Sequence, residues 1–257
     1  MKKTFILSHT FTFLLILFSL ASAAWSVEPA EETGLMFVGD EELAPYSFFS
    51  RKVVEGVNTQ DEFISVTIFD NVPRGYCIDL IKKLSAVINK KISIELVSPE
   101  KFASFINSSE PNNITALIPD QANRQFFDFS RPIAKIEFAI FAEVSNSYIN
   151  SLESLEGMVV AIHKESPILG MLSQNKKITV IETSSVLEAL KKLSHREVAA
   201  VIAEKNITMY YIQQNKIENL KIVGAPVGPF YSYTFAVKRG DTALLDRLNS
   251  GLQILEQ

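Results

Sequence analysis

Two residues in this chain have the chemistry to hold the two ends of a small zwitterion. Arg124 lies in Asn123-Arg124-Gln125-Phe126-Phe127-Asp128-Phe129-Ser130-Arg131-Pro132. Its guanidinium is a planar fork of donors that can grip a carboxylate through two parallel hydrogen bonds. Glu204, far along the chain, offers a carboxylate that can face an ammonium. Between them, Ser166-Pro167 reads as a helix start, with serine as N-cap and proline at the first helical position. Tyr46 and Phe48 add two aromatic rings within Ala44-Pro45-Tyr46-Ser47-Phe48.

Other chemistries find no support. The chain has no Gly-x-Ser-x-Gly, no His-Glu-x-x-His and no phosphate-binding loop. Beyond the leader, the histidines are His163 and His195, so a histidine-rich metal site is not expected, and neither is a cofactor. His163 ends a buried strand and reads as a structural histidine. The single cysteine, Cys77, excludes a disulfide within the chain and sits among apolar helical positions as a buried, inert thiol. A net charge of −4 argues against nucleic acid, whose phosphates demand basic patches.

Strands alternate with helices along the chain. Residues 35–39 form a short apolar strand, and 76–89 carries apolar side chains at helical spacing from Cys77 to Ile88. Residues 92–97 alternate as a strand, 99–106 form a short helix, and 114–118 form another strand. A long apolar run, 136–144, reads as a crossing strand. The pattern continues with strands at 159–162, 178–181 and 198–203. Between them lie the helix opened by Ser166 and another opened by the capping box Ser185-Val186-Leu187-Glu188. Residues 207–214 form a helix, 231–237 a return strand and 244–255 a terminal helix. Such alternation predicts an α/β fold with mostly parallel sheets. Residues 49–73 break the pattern and read as an inserted hairpin of unassigned role.

The N-terminus reads as a secretory signal. Lys2 and Lys3 precede an apolar run over 11–20, and Ala21-Ser22-Ala23 offers a small-residue cleavage site. The apolar core is about ten residues, short of the roughly 20 needed to span a membrane. Cleavage after Ala23 leaves about 230 residues, enough for one large domain or two small lobes. With 47% hydrophobic residues, the chain can bury a substantial core without a disulfide. The product is expected to be a soluble periplasmic monomer.

The chain resembles the family 3 extracellular solute-binding proteins, the polar amino-acid receptors of ABC uptake systems. The resemblance covers residues 34–257. It is carried by Ala44-Pro45-Tyr46-Ser47-Phe48, by Gly75-Tyr76-Cys77-Ile78-Asp79-Leu80, and by Arg124 with Phe127-Asp128-Phe129-Ser130. It continues in Leu152-Glu153-Ser154-Leu155-Glu156-Gly157 and in Phe235-Ala236-Val237-Lys238-Arg239-Gly240-Asp241. It implies a two-lobed periplasmic binding protein-like fold, with two mostly parallel sheets flanked by helices and joined by a two-strand hinge. Lobe 1 would comprise 34–141 plus 234–257, and lobe 2 would comprise 142–233. The implied function is capture of an amino acid or related carboxylate by hinge closure, with delivery to an ABC permease and no bond made or broken. Arg124 would hold the α-carboxylate and Ser166 would add a hydroxyl and helix N-terminal N–H groups. Glu204 would pair the α-ammonium, and Tyr46 and Phe48 would wall the ligand, with Phe102 a further wall.

The chain also departs from the family pattern. Asn113 and Thr115 stand where an acid is usual, Gln121 replaces a threonine, and Ala199 replaces an aspartate. The segment from Ile118 to Arg124 is short. Glu165 stands in place of the glycine before Ser166 and brings negative charge towards the presumed carboxylate. Two other functions remain open on the same fold. One is a cyclohexadienyl-dehydratase-like enzyme with Glu204 as general acid. The other is a stand-alone sensing module coupled to a separate membrane partner.

Overall fold

Alternation of β-branched strands with amphipathic helices fixes the order of elements in the computed structural model. It describes residues 34–57, 63–108 and 111–257, with backbone alone for the strand residues between 51 and 70. The expected signal segment, 1–23, lies outside the described residues. The chain begins with β1 (Leu35–Asp40), β2 (Glu42–Leu43), β3 (Ser47–Val57) and β4 (Phe63–Arg74). Then come α1 (Tyr76–Val87), β5 (Ile92–Val97), α2 (Pro99–Ser108) and β6 (Asn113–Leu117). A 3-10 turn, Asn123–Gln125, leads into β7 (Phe127–Glu143), followed by β8 (Val159–His163), α3 (Leu169–Gln174) and β9 (Thr179–Thr183). The chain ends with α4 (Val186–Ser194), β10 (Ala200–Glu204), α5 (Lys205–Gln214), β11 (Leu220–Lys238) and α6 (Thr242–Leu255).

The α/β class expected from the sequence is present, but its sheets are arranged differently. In place of two mostly parallel sheets, the described residues form one mixed eight-stranded sheet, ordered β5-β1-β6-β11-β7-β10-β8-β9, and a small antiparallel sheet, ordered β2-β3-β4. The reason is the length of β7 and β11, 17 and 19 residues. They pair antiparallel with each other from Leu220↔Glu143 to Lys238↔Phe127, so the hydrogen-bonded ladder never ends between the two flanks. One flank, β5, β1 and β6, is internally parallel and joins β11 near its end, at Thr234 to Val237. The other, β10, β8 and β9, is also parallel and joins β7 near its end, at Phe138 to Phe141. Along this ladder the β11–β7 register shifts four times, between Val223 and Ala236. Such bulges bend a strand and raise its twist.

Side-chain alternation assigns the two faces of the sheet. Ile136, Phe138 and Ile140 of β7 enter one apolar cluster, whereas Ala139 and Phe141 enter another. Helix α1 buries Cys77, Ile78, Ile81 and Leu84, and α6 buries Leu244, Leu248 and Leu252 in the same cluster. Full burial of one such aliphatic side chain contributes about 1.5–3 kcal/mol. Desolvation pushes the Cys77 thiol far above its ordinary range, consistent with an inert thiol. The predicted hairpin over 49–73 is present as β3 and β4, paired antiparallel from Phe48↔Arg74 to Val57↔Phe63.

Candidate functional site

Tyr46 is held by the start of α1. Its carbonyl accepts from Cys77 N at 3.0 Å, and Pro45 O accepts from Tyr76 N at 3.0 Å. The approach requires Gly75. Its φ is +119°, and a Cβ there would lie 2.4 Å from Tyr46 O. The ring of Tyr46 then packs at 5.0 Å, tilted by 54°, against that of Tyr233 on β11.

Glu204 reaches the same point from the opposite flank. It ends β10, where it sits opposite Phe138 of β7, and it caps α5, its Oε2 accepting from Ile207 N. Its Oε1 accepts from the Tyr46 hydroxyl at 3.2 Å. Asn206 Nδ2 donates to that hydroxyl at 3.0 Å. Glu204 is only 7% exposed. Burial pushes its carboxyl above the ordinary glutamate range, against the opposing effect of the Ile207 and Asn206 N–H groups and of Tyr46. The same burial, with Glu204 alongside, raises the Tyr46 phenol out of any physiological range. A carboxylate offers about four lone-pair sites, so Glu204 keeps capacity for a further donor.

Tyr46, Glu204 and Tyr233 line a cavity of about 250 Å3, just under the roughly 300–1,000 Å3 usual for small-molecule pockets. It opens at the carboxyl ends of β6, β8 and β10, where open α/β sheets place their ligands. The β2–β6 side contributes Leu43, Tyr46 and Ile118. The long strands contribute Ile136, Phe138 and Tyr233. The β8–β10 side contributes His163, Glu165, Ser166 and Pro167, then Val186, Ile202, Ala203, Glu204 and Ile207. Among the described residues, two carboxylates and no lysine or arginine line it. Lys205, next to Glu204, has its ammonium 3.7 Å from Glu137 Oε2.

Tyr46, Ser166 and Glu204 of the expected set therefore meet in one cavity, but Ser166 does so differently from the sequence reading. It is not an N-cap. Ser166 N donates to His163 O at 2.9 Å and Leu169 N donates to Ser166 O at 3.0 Å, so two tight turns precede a six-residue helix whose N-cap is Ile168. The Ser166 Oγ is buried without a hydrogen-bond partner. Arg124 and Phe48 are not among the lining residues. Reciprocal bonds between Asp120 and Asn123, with Asn123 Nδ2 on Ile118 O, close the short loop after β6. They leave Arg124 exposed, its guanidinium 5.5 Å from the Phe129 ring centre. Phe48 packs at 5.3 Å on Tyr210, and Phe102 stacks on Phe105 in a separate cluster. The sequence reading overlooked Phe138, Tyr233 and Asn206. Phe138 shares a strand face with Ile136, and period-2 alternation was the available signal. Nothing local marks Asn206, because its partner, Tyr46, is 160 positions away.

The model of the bacterial extracellular solute-binding proteins, family 3, matches residues 40–257, and the chain belongs to that family. The chain is 22% identical over 217 residues to the amino-acid-binding protein AabA of Dichelobacter nodosus, covering 82% of this chain and 85% of AabA. A histidine kinase sensor domain with similarity to periplasmic binding proteins matches at a TM-score of 0.66 and 23% identity, covering 87% of this chain and 90% of that one. The arginine-bound form of truncated ArgBP from T. maritima matches at a TM-score of 0.61 and 17% identity, covering 86% and 95%. At these identities the structural matches establish a shared periplasmic-binding-protein fold.

Proposed function

We propose that this protein captures a small solute bearing an amino group in the cavity between β2–β6 and β8–β10, with Glu204 as the counter-ion. The observation that carries this reading is the buried Glu204 carboxylate, which lines a cavity of about 250 Å3 and retains unused lone pairs. The unpartnered Ser166 Oγ is a second acceptor for the same group. Membership of a solute-binding family supports capture and release in place of turnover, and the name of AabA supports an amino-acid-like solute.

The two flanks would act as lobes, 34–141 with 234–257 and 142–233, and the bulged middle of β7 and β11 would serve as the hinge. The Tyr46–Glu204 bond and the Tyr211 hydroxyl on Glu42 O at 3.2 Å both join the flanks, as a closed cleft requires. After removal of the leader the protein would work as a periplasmic monomer and hand its solute to an ABC permease. A thermal-shift screen of amines, amino acids and amino-free carboxylates tests the reading. A ligand at 100 times its Kd stabilises the folded state by about 2.7 kcal/mol. Amino-bearing compounds should raise the Tm of the wild type and lose that effect in Glu204→Gln. A shift produced equally by amino-free carboxylates, and kept in the variant, would refute it.

A further inference from the structure

We infer that the preferred ligand is an organic monocation without a carboxylate, a primary amine on a short apolar stem. The inference rests on the binding reading above and narrows the solute it admits. A free amino acid needs a cationic or N–H-rich partner for its carboxylate; the described lining residues include no lysine or arginine, and the two helix starts beside them, α4 and α5, already give N–H groups to the Ser185 and Glu204 side chains. The ionisable side chains of that lining are Tyr46, His163, Glu165, Glu204 and Tyr233. Ser166 does not cap the helix expected to receive the anion, because α3 starts at Leu169 with Ile168 as its N-cap. The residue before Ser166 is Glu165, whose charge would repel a carboxylate there. Arg124 is exposed over Phe129, and the Lys205 ammonium faces Glu137.

The same surfaces suit an amine. Glu204 and the Ser166 Oγ can accept its N–H bonds, and three aromatic rings, Tyr46, Phe138 and Tyr233, border the space where a cation gains from their π faces. Leu43, Ile118 and Ile202 leave an apolar bed for the stem. Two carboxylates facing one ammonium leave the loaded cavity with excess negative charge, which a second, anionic group on the ligand would worsen.

Calorimetry with matched pairs decides the matter: 3-methylbutylamine against leucine and 2-phenylethylamine against phenylalanine, each titrated into the chain processed after Ala23. Each amine should bind at least about tenfold more tightly than its amino acid, because the carboxylate meets like charge among described lining residues that include no lysine or arginine. Glu204→Gln should weaken the amines by about 30-fold or more. Glu165→Gln, at an exposed position that leaves folding intact, should narrow the gap between each pair by improving the amino acid. Amino acids binding as tightly as the amines in the wild type, or a gap unmoved by Glu165→Gln, overturns the inference while leaving solute capture standing. Failure of both amines and both amino acids to bind overturns the capture reading and the inference with it.

Discussion

The two sides of the cavity are built from different materials. At the ends of β8 and β10 stand His163, Glu165, Ser166 and Glu204, which carry its charge and most of its polar atoms. Facing them are Leu43 of β2, Ile118 after β6 and Tyr46, whose hydroxyl is the one side-chain polar group of that side among the described lining residues. Even that hydroxyl is committed, donating to Glu204 and accepting from Asn206. In a cleft that reads a zwitterion, both sides should carry charge of opposite sign. Here the charged groups of the described lining lie on one side, and the other supplies an apolar wall and a single tether. The short Asp120–Asn123 loop contributes to this, since it leaves the Arg124 guanidinium exposed and outside the lining.

The largest effect should come from the residue that sets the tether. Gly75→Ala places a Cβ against Tyr46 O in a backbone region that side chains avoid, and should destabilise the fold by about 3 kcal/mol. Urea denaturation checks this. Unchanged stability would mean that the wall does not depend on the Gly75 turn.

A pH series tests the charged side. Glu204 has its folded carboxyl raised by burial, so the cost of its charge is absent below the unfolded value and complete above the folded one. Ligand-free stability should therefore fall as pH rises through that window. A bound cation favours the charged form, so amine affinity should move the other way, weakening by up to about tenfold per pH unit below the raised value. Isothermal titration at several pH values reads both the constant and the released proton. His163, Glu165, Tyr46, Tyr233 and Lys205 also face or flank the group. Persistence of the dependence in His163→Gln and its loss in Glu204→Gln would assign it to Glu204.

Tyr46→Phe removes the tether and keeps the ring. Glu204 and Asn206 each lose a partner, and stability should drop by about 1–2 kcal/mol with the fold intact. Arg124→Ala should have the smallest effect, changing amine affinity by less than about threefold, because an exposed charge far from contact is screened. A 30-fold loss would return Arg124 to the ligand and break the asymmetry between the two sides.

Local pattern alone determined much of this molecule. The apolar positions Cys77, Ile81 and Leu84 fall on the buried face of α1, with Ile78 buried beside them and Leu80 only half-buried, and the β-branched run at 92–97 matched β5 residue for residue. Ser185 caps α4 as its box predicted, accepting from Glu188 N at 3.1 Å. The Glu188 carboxylate goes instead to Ser184 N, at 2.8 Å. These features rest on interactions within a few residues, so the sequence displays them directly. The continuity of the sheet was not legible, because pairing between β7 and β11 depends on partners some 77 to 111 positions apart. The fate of the site residues was not legible either. Arg124 and Glu204 were equally plausible by type, and only the closed Asp120–Asn123 loop and the start of α5 decided which one meets the cavity. A side chain's chemistry is written in the sequence, but the direction it points is set by backbone hydrogen bonds that the folded chain alone completes.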